Sequence, residues 1–166
     1  MRTGRARQWS NLRAYVLRSS LFKLMFVLIV GAGRVGSAVA KKALAAGHEV
    51  SVLDEDPLSH ERLDAGQERS WEDAGGRFTV GTALEVEALI QAGVERADVF
   101  IASTAGDNTN LVIAQIAQRR FGVEQAIVRV MDPARADWYG EQGLQTISPT
   151  KHAIEMFARA LEPEAA

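Results

Sequence analysis

Five consecutive apolar residues, Phe26–Val30, stand immediately before a glycine-rich turn. A short unbroken apolar run with β-branched members predicts a strand buried on both faces. From Arg34 to Ala46 the period changes. Val35, Val39, Ala40, Ala43 and Leu44 fall on one helical face, and Gly47 supplies the stop. The alternation continues along the chain. Further strands are predicted at 49–53, 78–80, 98–102, 126–130 and 146–148. Helices are predicted at 58–65, 84–92, 108–121, 133–142 and 152–161, with Gly93 and Gly122 closing two of them. Residues 66–77, which hold three glycines, read as a loop that lengthens the second crossover. Six strands alternating with helices predict an α/β fold. Its form is a Rossmann-like, doubly wound, parallel six-stranded sheet with helices on both faces.

Length and composition narrow this picture. The 166 residues suit one domain, and 47% apolar residues suffice for a core. The absence of cysteine excludes disulfides, thiolate metal sites and cysteine nucleophiles. Residues 1–24 carry six basic side chains and no acid, so a net charge of −2 leaves −8 on the remainder. An acidic body argues against nucleic acid as a partner. The basic segment either touches an anionic membrane or nucleic acid or, because Met25 directly precedes the first strand where an alternative start would fall, is an N-terminal extension outside the core fold; the latter is expected, with the domain spanning 25–166. Arginines followed by Leu24–Val30 resemble a signal peptide, but cleavage there would destroy the glycine turn. The run is also shorter than the ~20 residues that span a bilayer.

The candidate chemistry lies in Gly31-Ala32-Gly33-Arg34-Val35-Gly36. A buried strand precedes this G-x-G-x-x-G, a helix begins within it, and an acid, Asp54, ends the next strand 18 residues after Gly36. Gly31 allows a tight turn, Gly33 lets backbone approach a pyrophosphate, and Gly36 lets helix pack on strand. The helix N-terminus presents free N–H groups to phosphate. Asp54, with Glu55 beside it, suits ribose hydroxyls and repels a 2′-phosphate. That favours NAD(H), ATP or ADP over NADP(H). Arg34 is either a phosphate donor or an ordinary solvated residue.

The segment Phe26–Asp54, FVLIVGAGRVGSAVAKKALAAGHEVSVLD, resembles the opening of the TrkA N-terminal family, also called RCK or KTN. The resemblance continues through residues 80–122, 127–150 and the helix beyond, and covers nearly all of 25–162. Its most specific parts are Ala105-Gly106-Asp107-Asn108-Thr109-Asn110 and Arg129…Asp132-Pro133. Such domains bind NAD(H) or ATP/ADP as regulators, without chemistry on the nucleotide. They form dimers that assemble into rings on the cytoplasmic face of a potassium-transporting membrane subunit. The resemblance therefore implies a peripheral cytoplasmic protein that forms a homo-dimer or ring, with a second TrkA-type subunit as a further partner. It further implies that Gly31, Gly33, Arg34, Val35 and Gly36 hold phosphates and that Asp54 holds the adenosine ribose. Thr82 and Ala83 would border adenine, Ser103 and Thr104 would line the cleft after the fourth strand, and Arg129 would reach phosphate or a partner subunit. Gly81-Thr82-Ala83-Leu84 departs from the commoner Gly-Asp-Ala-Thr, which removes a carboxylate from the adenine side. A second, C-terminal sensing lobe is not expected within 166 residues.

Other residues read more simply. His48, after Gly47, suits helix capping or packing. His60 and His152 have no partner at metal-ligand spacing, and no metal site is expected. Ser103-Thr104 lacks a nucleophile-elbow pattern. Arg129, in an apolar strand, also fits a buried ion pair. The last helix places Ile154, Phe157, Ala158 and Leu161 on one side and Glu155, Arg159 and Glu162 on the other. That face closes either its own core or a dimer. The expected function is a non-enzymatic, nucleotide-sensing regulator of potassium uptake. The rival expectations are an NAD-dependent oxidoreductase module and a redox sensor acting on another partner.

Overall fold

The computed structural model describes residues 23–161. The predicted N-terminal extension up to residue 22, and Glu162, expected on the polar side opposite Ile154 and Phe157, lie outside the described residues.

The six strands are β1 Phe26–Val30, β2 Glu49–Asp54, β3 Arg77–Val80, β4 Val99–Ala102, β5 Gln125–Arg129 and β6 Gln145–Ile147. They form one parallel sheet in the order β3-β2-β1-β4-β5-β6. The chain direction across the sheet reverses between β1 and β4. That switch point opens a crevice at the strands' carboxyl ends, where such sheets bind ligands.

All five residues of β1 are buried. Its alternate side chains enter two separate cores. Val27 and Ile29 pack with Val50, Val52, Ala40 and Leu63 on one face. Leu28 and Val30 pack with Phe100, Val128, Leu89 and Ile113 on the other. The unbroken apolar run is thus explained by burial on both faces.

The helices are α1 Arg34–Ala45, α2 Glu61–Asp64, α3 Val86–Gln91, α4 Asp107–Phe121, α5 Pro133–Glu141 and α6 Pro149–Ala160. Helix α2 is a single turn preceded by a 3₁₀ turn, Pro57–His60. The predicted 58–65 helix is therefore tighter at its start, where Asp56 accepts from the Leu58 N–H at 2.9 Å. Helix α6 begins three residues earlier than its periodicity predicts. Ser148 accepts from the Lys151 N–H at 3.2 Å and Pro149 occupies the first turn, a start signal carried by cap chemistry.

The 66–77 loop is anchored rather than loose. Trp71 is buried in the α1-side core, and its backbone N–H donates to Asp64 at 2.8 Å. A Cβ on Gly76 would lie 2.1 Å from the Trp71 ring, so glycine is required there by close approach. Among the described residues no helix is long and apolar enough to cross a membrane.

Candidate nucleotide site

The β1–α1 turn, the end of β2, the β3–α3 loop and the β4–α4 loop converge on a cleft of about 500 Å³ at the switch point. Its lining includes Gly31, Gly33, Arg34, Asp54, Glu55, Thr82, Ala83, Ser103, Thr104 and Arg129. Ten of the thirteen residues singled out from sequence therefore meet in one place. Ala32, Val35 and Gly36 are not part of that lining. Ala32 is buried, with its N–H donating to Asp54 at 2.6 Å. Val35, expected on the apolar stripe of this helix, is instead 43% exposed. Gly36 is buried beneath the turn.

The three glycines of the turn differ physically. Gly31 has φ +98°, and a Cβ on it would lie 2.8 Å from the backbone after Ser103. A Cβ on Gly36 would lie 1.8 Å from the Gly31 carbonyl oxygen. Both are demanded by packing within the protein. At Gly33 a Cβ would meet nothing within 4 Å, and the backbone has an ordinary φ of −67°. The fold has no need of glycine there. Gly33 also precedes the first turn of α1 and carries no side-chain cap. Bare backbone thus faces the cleft at a helix N-terminus, an arrangement suited to phosphate.

Asp54 does more than end β2. One carboxylate oxygen accepts from Ala32 N–H and the other from Asp56 N–H at 2.9 Å. The acid therefore fixes the glycine turn and also lines the cleft, with acceptor capacity left on both oxygens. Ser103, buried, donates to the Val30 and Gly31 carbonyls at 3.2 and 3.1 Å. Its hydroxyl hydrogen braces the turn from below.

Asn110, absent from the residues picked out individually, organises the opposite wall. It is fully buried in α4. Its carbonyl accepts from the Thr104 N–H at 2.9 Å and from the Thr104 hydroxyl at 2.7 Å. Its amide donates to the carbonyls of Thr104 and Arg129 at 3.1 and 3.0 Å. All four hydrogen-bonding positions of the amide are used, and the β4–α4 loop is locked to β5. The signal was present in the distinctive 105–110 segment. Asp107 adds to this lock by accepting from the N–H groups of Met131 and Asp132 at 2.9 and 3.2 Å.

Among the described residues, Arg129 does not form the buried ion pair that its apolar strand allows. Its guanidinium donates to the Thr104 carbonyl, and its buried Nε has no partner. A cation at the cleft wall satisfied by a neutral carbonyl retains charge to offer an anion. Arg34 and Arg62 add two more exposed cations to the lining, Arg62 being unanticipated. The acids Asp54, Glu55 and Asp56 border the same cleft.

The histidines stand elsewhere. His48 accepts from the Met25 N–H at 3.4 Å, so its packing role at the helix end is served through an amide rather than a free carbonyl. His60, without a partner when judged by spacing, stands between Asp64 and Glu72.

Residues 27–149 match the TrkA-N domain family. The Trk system potassium uptake protein TrkA of Streptomyces coelicolor is 37% identical over 142 residues, covering 86% of this chain and 60% of that protein. The protein of the same name from Mycobacterium tuberculosis H37Rv is 32% identical over 116 residues, covering 69% of this chain and 48% of that protein. The chain thus spans about half to three fifths of these relatives. Among solved structures, the TrkA-N domain of the Escherichia coli inner membrane protein ybaL superposes with a TM-score of 0.69 at 20% identity, covering 84% of this chain and 98% of that one. A Shewanella denitrificans Kef C-terminal domain in AMP-bound form gives 0.65 at 22% identity, covering 82% and 79%. The strand order, the glycine turn at the switch point and the matched span together make this chain a member of the TrkA-N domain family.

Proposed function

We propose that this chain is the nucleotide-binding regulatory domain of a potassium uptake system. It takes an adenine nucleotide without a 2′-phosphate, NAD(H) first and ATP or ADP as the alternative, and works by binding rather than by chemistry on the nucleotide. Phosphates sit on the Gly31–Gly36 turn with Arg34 and Arg129, the ribose on Asp54 with Glu55, and the base against Thr82 and Ala83. The domain comprises residues 25–166, and residues 1–24 are an extension. The partner is a potassium-transporting membrane subunit, approached from the cytoplasmic face by a dimer or ring.

The observation that carries the nucleotide assignment is the open, side-chain-free backbone at Gly33, within a cleft lined by both guanidinium groups and ribose-suited carboxylates. The AMP-bound Kef domain supports the adenine nucleotide class. Support for assembly comes from α6. None of its residues is buried, and Ile154, Phe157 and Leu161 are 57, 74 and 85% exposed. Such an apolar helix face calls for a covering partner, and a second copy of the chain fits the proposed ring.

Calorimetric titration with NADH, NADPH, ATP and ADP tests the reading. Binding of NADH or an adenosine phosphate ahead of NADPH is expected. Tightest binding by NADPH overturns the Asp54 assignment, and no binding by any of the four overturns the nucleotide site.

A further inference from the structure

A second cluster of chemistry-bearing side chains lies outside the contacts assigned to the nucleotide. His60 ends the 3₁₀ turn, Asp64 ends α2, and Glu72 sits on the 66–77 loop, one residue after buried Trp71. His60 Nδ1 is 3.3 Å from Asp64, and Nε2 is 2.8 Å from Glu72. The ring is steadied from β3 by Phe78, edge-on at 5.2 Å between centroids. Three chain segments and a strand therefore meet at one imidazole. Among the described residues, this is the one group of three His, Asp or Glu side chains close enough to share an ion.

The charge pattern asks for a cation. A neutral imidazole carries one N–H and one bare lone pair. With a carboxylate on each ring nitrogen, one lone pair would face a carboxylate oxygen. A metal ion between the ring and the carboxylate relieves that repulsion. We propose that His60, Asp64 and Glu72 form a binding site for a divalent transition-metal ion of the zinc class, which clamps the 66–77 loop to the turn that borders the nucleotide cleft.

The donor set fits that class. One imidazole nitrogen and two carboxylates suit zinc and its neighbours, whereas magnesium favours oxygen ligands and retains its waters. Tetrahedral bonds of about 2.0–2.1 Å place adjacent ligand atoms about 3.3 Å apart. The 3.3 and 2.8 Å separations run from different ring nitrogens, of which an ion takes one, but one donor atom from each residue falls within 4.8 Å of the others, so a side-chain shift of an ångström or so brings the three onto one ion. Glu72 is about half exposed and can swing inward, whereas Asp64 is fixed by the Trp71 backbone N–H on Oδ1 and offers its other oxygen, Oδ2, to the site. Either carboxylate can instead hold the second ring N–H, which orients a metal-bound histidine. The chain has no cysteine and only two other histidines, so few side chains compete for a zinc-class ion. The same turn supplies Ser59 to the cleft lining, which sets the clamp beside the nucleotide's acidic rim.

The test is zinc binding by the full chain in competition with a chromophoric chelator, alongside His60→Ala, Glu72→Gln and His152→Ala. The wild type is expected to take one equivalent. Losing even an outer hydrogen-bonding partner weakens metal sites roughly 10- to 100-fold, and losing a ligand should cost no less. Both His60→Ala and Glu72→Gln should show such a loss, and His152→Ala none. Circular dichroism checks that the variants are folded. In histidine-ring NMR, zinc should shift the His60 signals and leave those of His48 and His152 in place, a readout that needs no variant. Absence of saturable binding overturns the proposal. So do unchanged affinity in His60→Ala and an unmoved His60 ring. This result is independent of whether the cleft binds nucleotide.

Discussion

Replacing Gly33 with valine separates what the fold requires from what a ligand requires. A Cβ there meets no protein atom within 4 Å, and φ −67° is open to any residue. The folding cost comes from the helix N-cap, where valine is inferior to glycine by roughly 1 kcal/mol. Reduced freedom of the unfolded chain offsets about 0.4–1 kcal/mol of that. The net change should stay within about 1 kcal/mol, a shift of roughly 2–4 °C in Tm for a chain of this size. Binding should respond quite differently. The valine side chain fills the space through which phosphate reaches the N–H groups of the turn. A hydrogen bond to a charged group is worth about 1.5–3 kcal/mol. Losing two of them weakens affinity by roughly 100-fold or more. Thermal melts and calorimetry with NADH and ADP give both numbers. A folded variant with normal affinity would refute the phosphate assignment. An unfolded one would refute the inference that Gly33 is free of packing demands.

Other substitutions probe the surrounding frame. Gly36→Ala should fail to fold or lose most of its stability in denaturant titration, because its Cβ would overlap the Gly31 carbonyl. Trp71→Ala should cost about 3–5 kcal/mol, as for other large aromatic truncations in cores. Hydrogen bonding from Phe26 N–H, then from Lys23, holds the Asp98 carboxyl below its usual 3.8. Its contribution is therefore present above 3.8 and disappears as pH falls through the lower folded value. Asp98→Asn should lower Tm at neutral pH, with the gap to wild type closing below 3.8. Polar replacement of Phe157 and Leu161 should turn a dimer into a nucleotide-binding monomer by light scattering, since α6 and the glycine turn are separate elements. A wild-type chain that is monomeric removes the dimer claim.

Periodicity was informative wherever burial alone decides the structure. The run Phe26–Val30 is apolar because both faces of β1 are covered, and the alternation of strands and helices matches the six-stranded parallel sheet, whose strand order only the structure gives. The glycine turn was legible because each glycine has a local reason that follows from the motif. Residues whose importance depends on distant partners were not. Asn110 shows only as a polar residue in a helix until Thr104 and Arg129 are brought beside it. Trp71 stands in a glycine-rich polar stretch that has no period, so nothing local marks it as core. His60 and Asp64 are four residues apart, but Glu72 joins them only when the loop folds back over the turn. Arg129 was ambiguous for a related reason. An arginine in an apolar strand can be matched by a carboxylate or a carbonyl, and spacing does not distinguish the two.

The polar network also determines what lies within reach of the cleft. Thr104 and Arg129 line it, and Asn110 ties them together from inside α4. At the start of the same helix, Asp107 holds the Met131 and Asp132 amides. Asp132 in turn caps α5 through Ala134 N–H and Arg135 N–H at 2.9 and 3.2 Å. Ser148 donates to the Met131 carbonyl at 3.3 Å and caps α6 through Lys151. Successive hydrogen bonds thus connect the cleft wall to the base of the exposed apolar helix, and Met131 is shared by both ends. Thr104 thus stands on a loop whose bonded network leads to the start of α6. A shift of that loop cannot be absorbed by free side chains, because the Asn110 amide has no spare hydrogen-bonding position. The wall has to move with its partners or stay still. Ala105–Asn110 and Arg129…Asp132-Pro133 therefore constrain each other through Asn110, Asp107 and Arg129. Glycines recur wherever a dinucleotide turn must be tight, whereas these two segments must also hold each other.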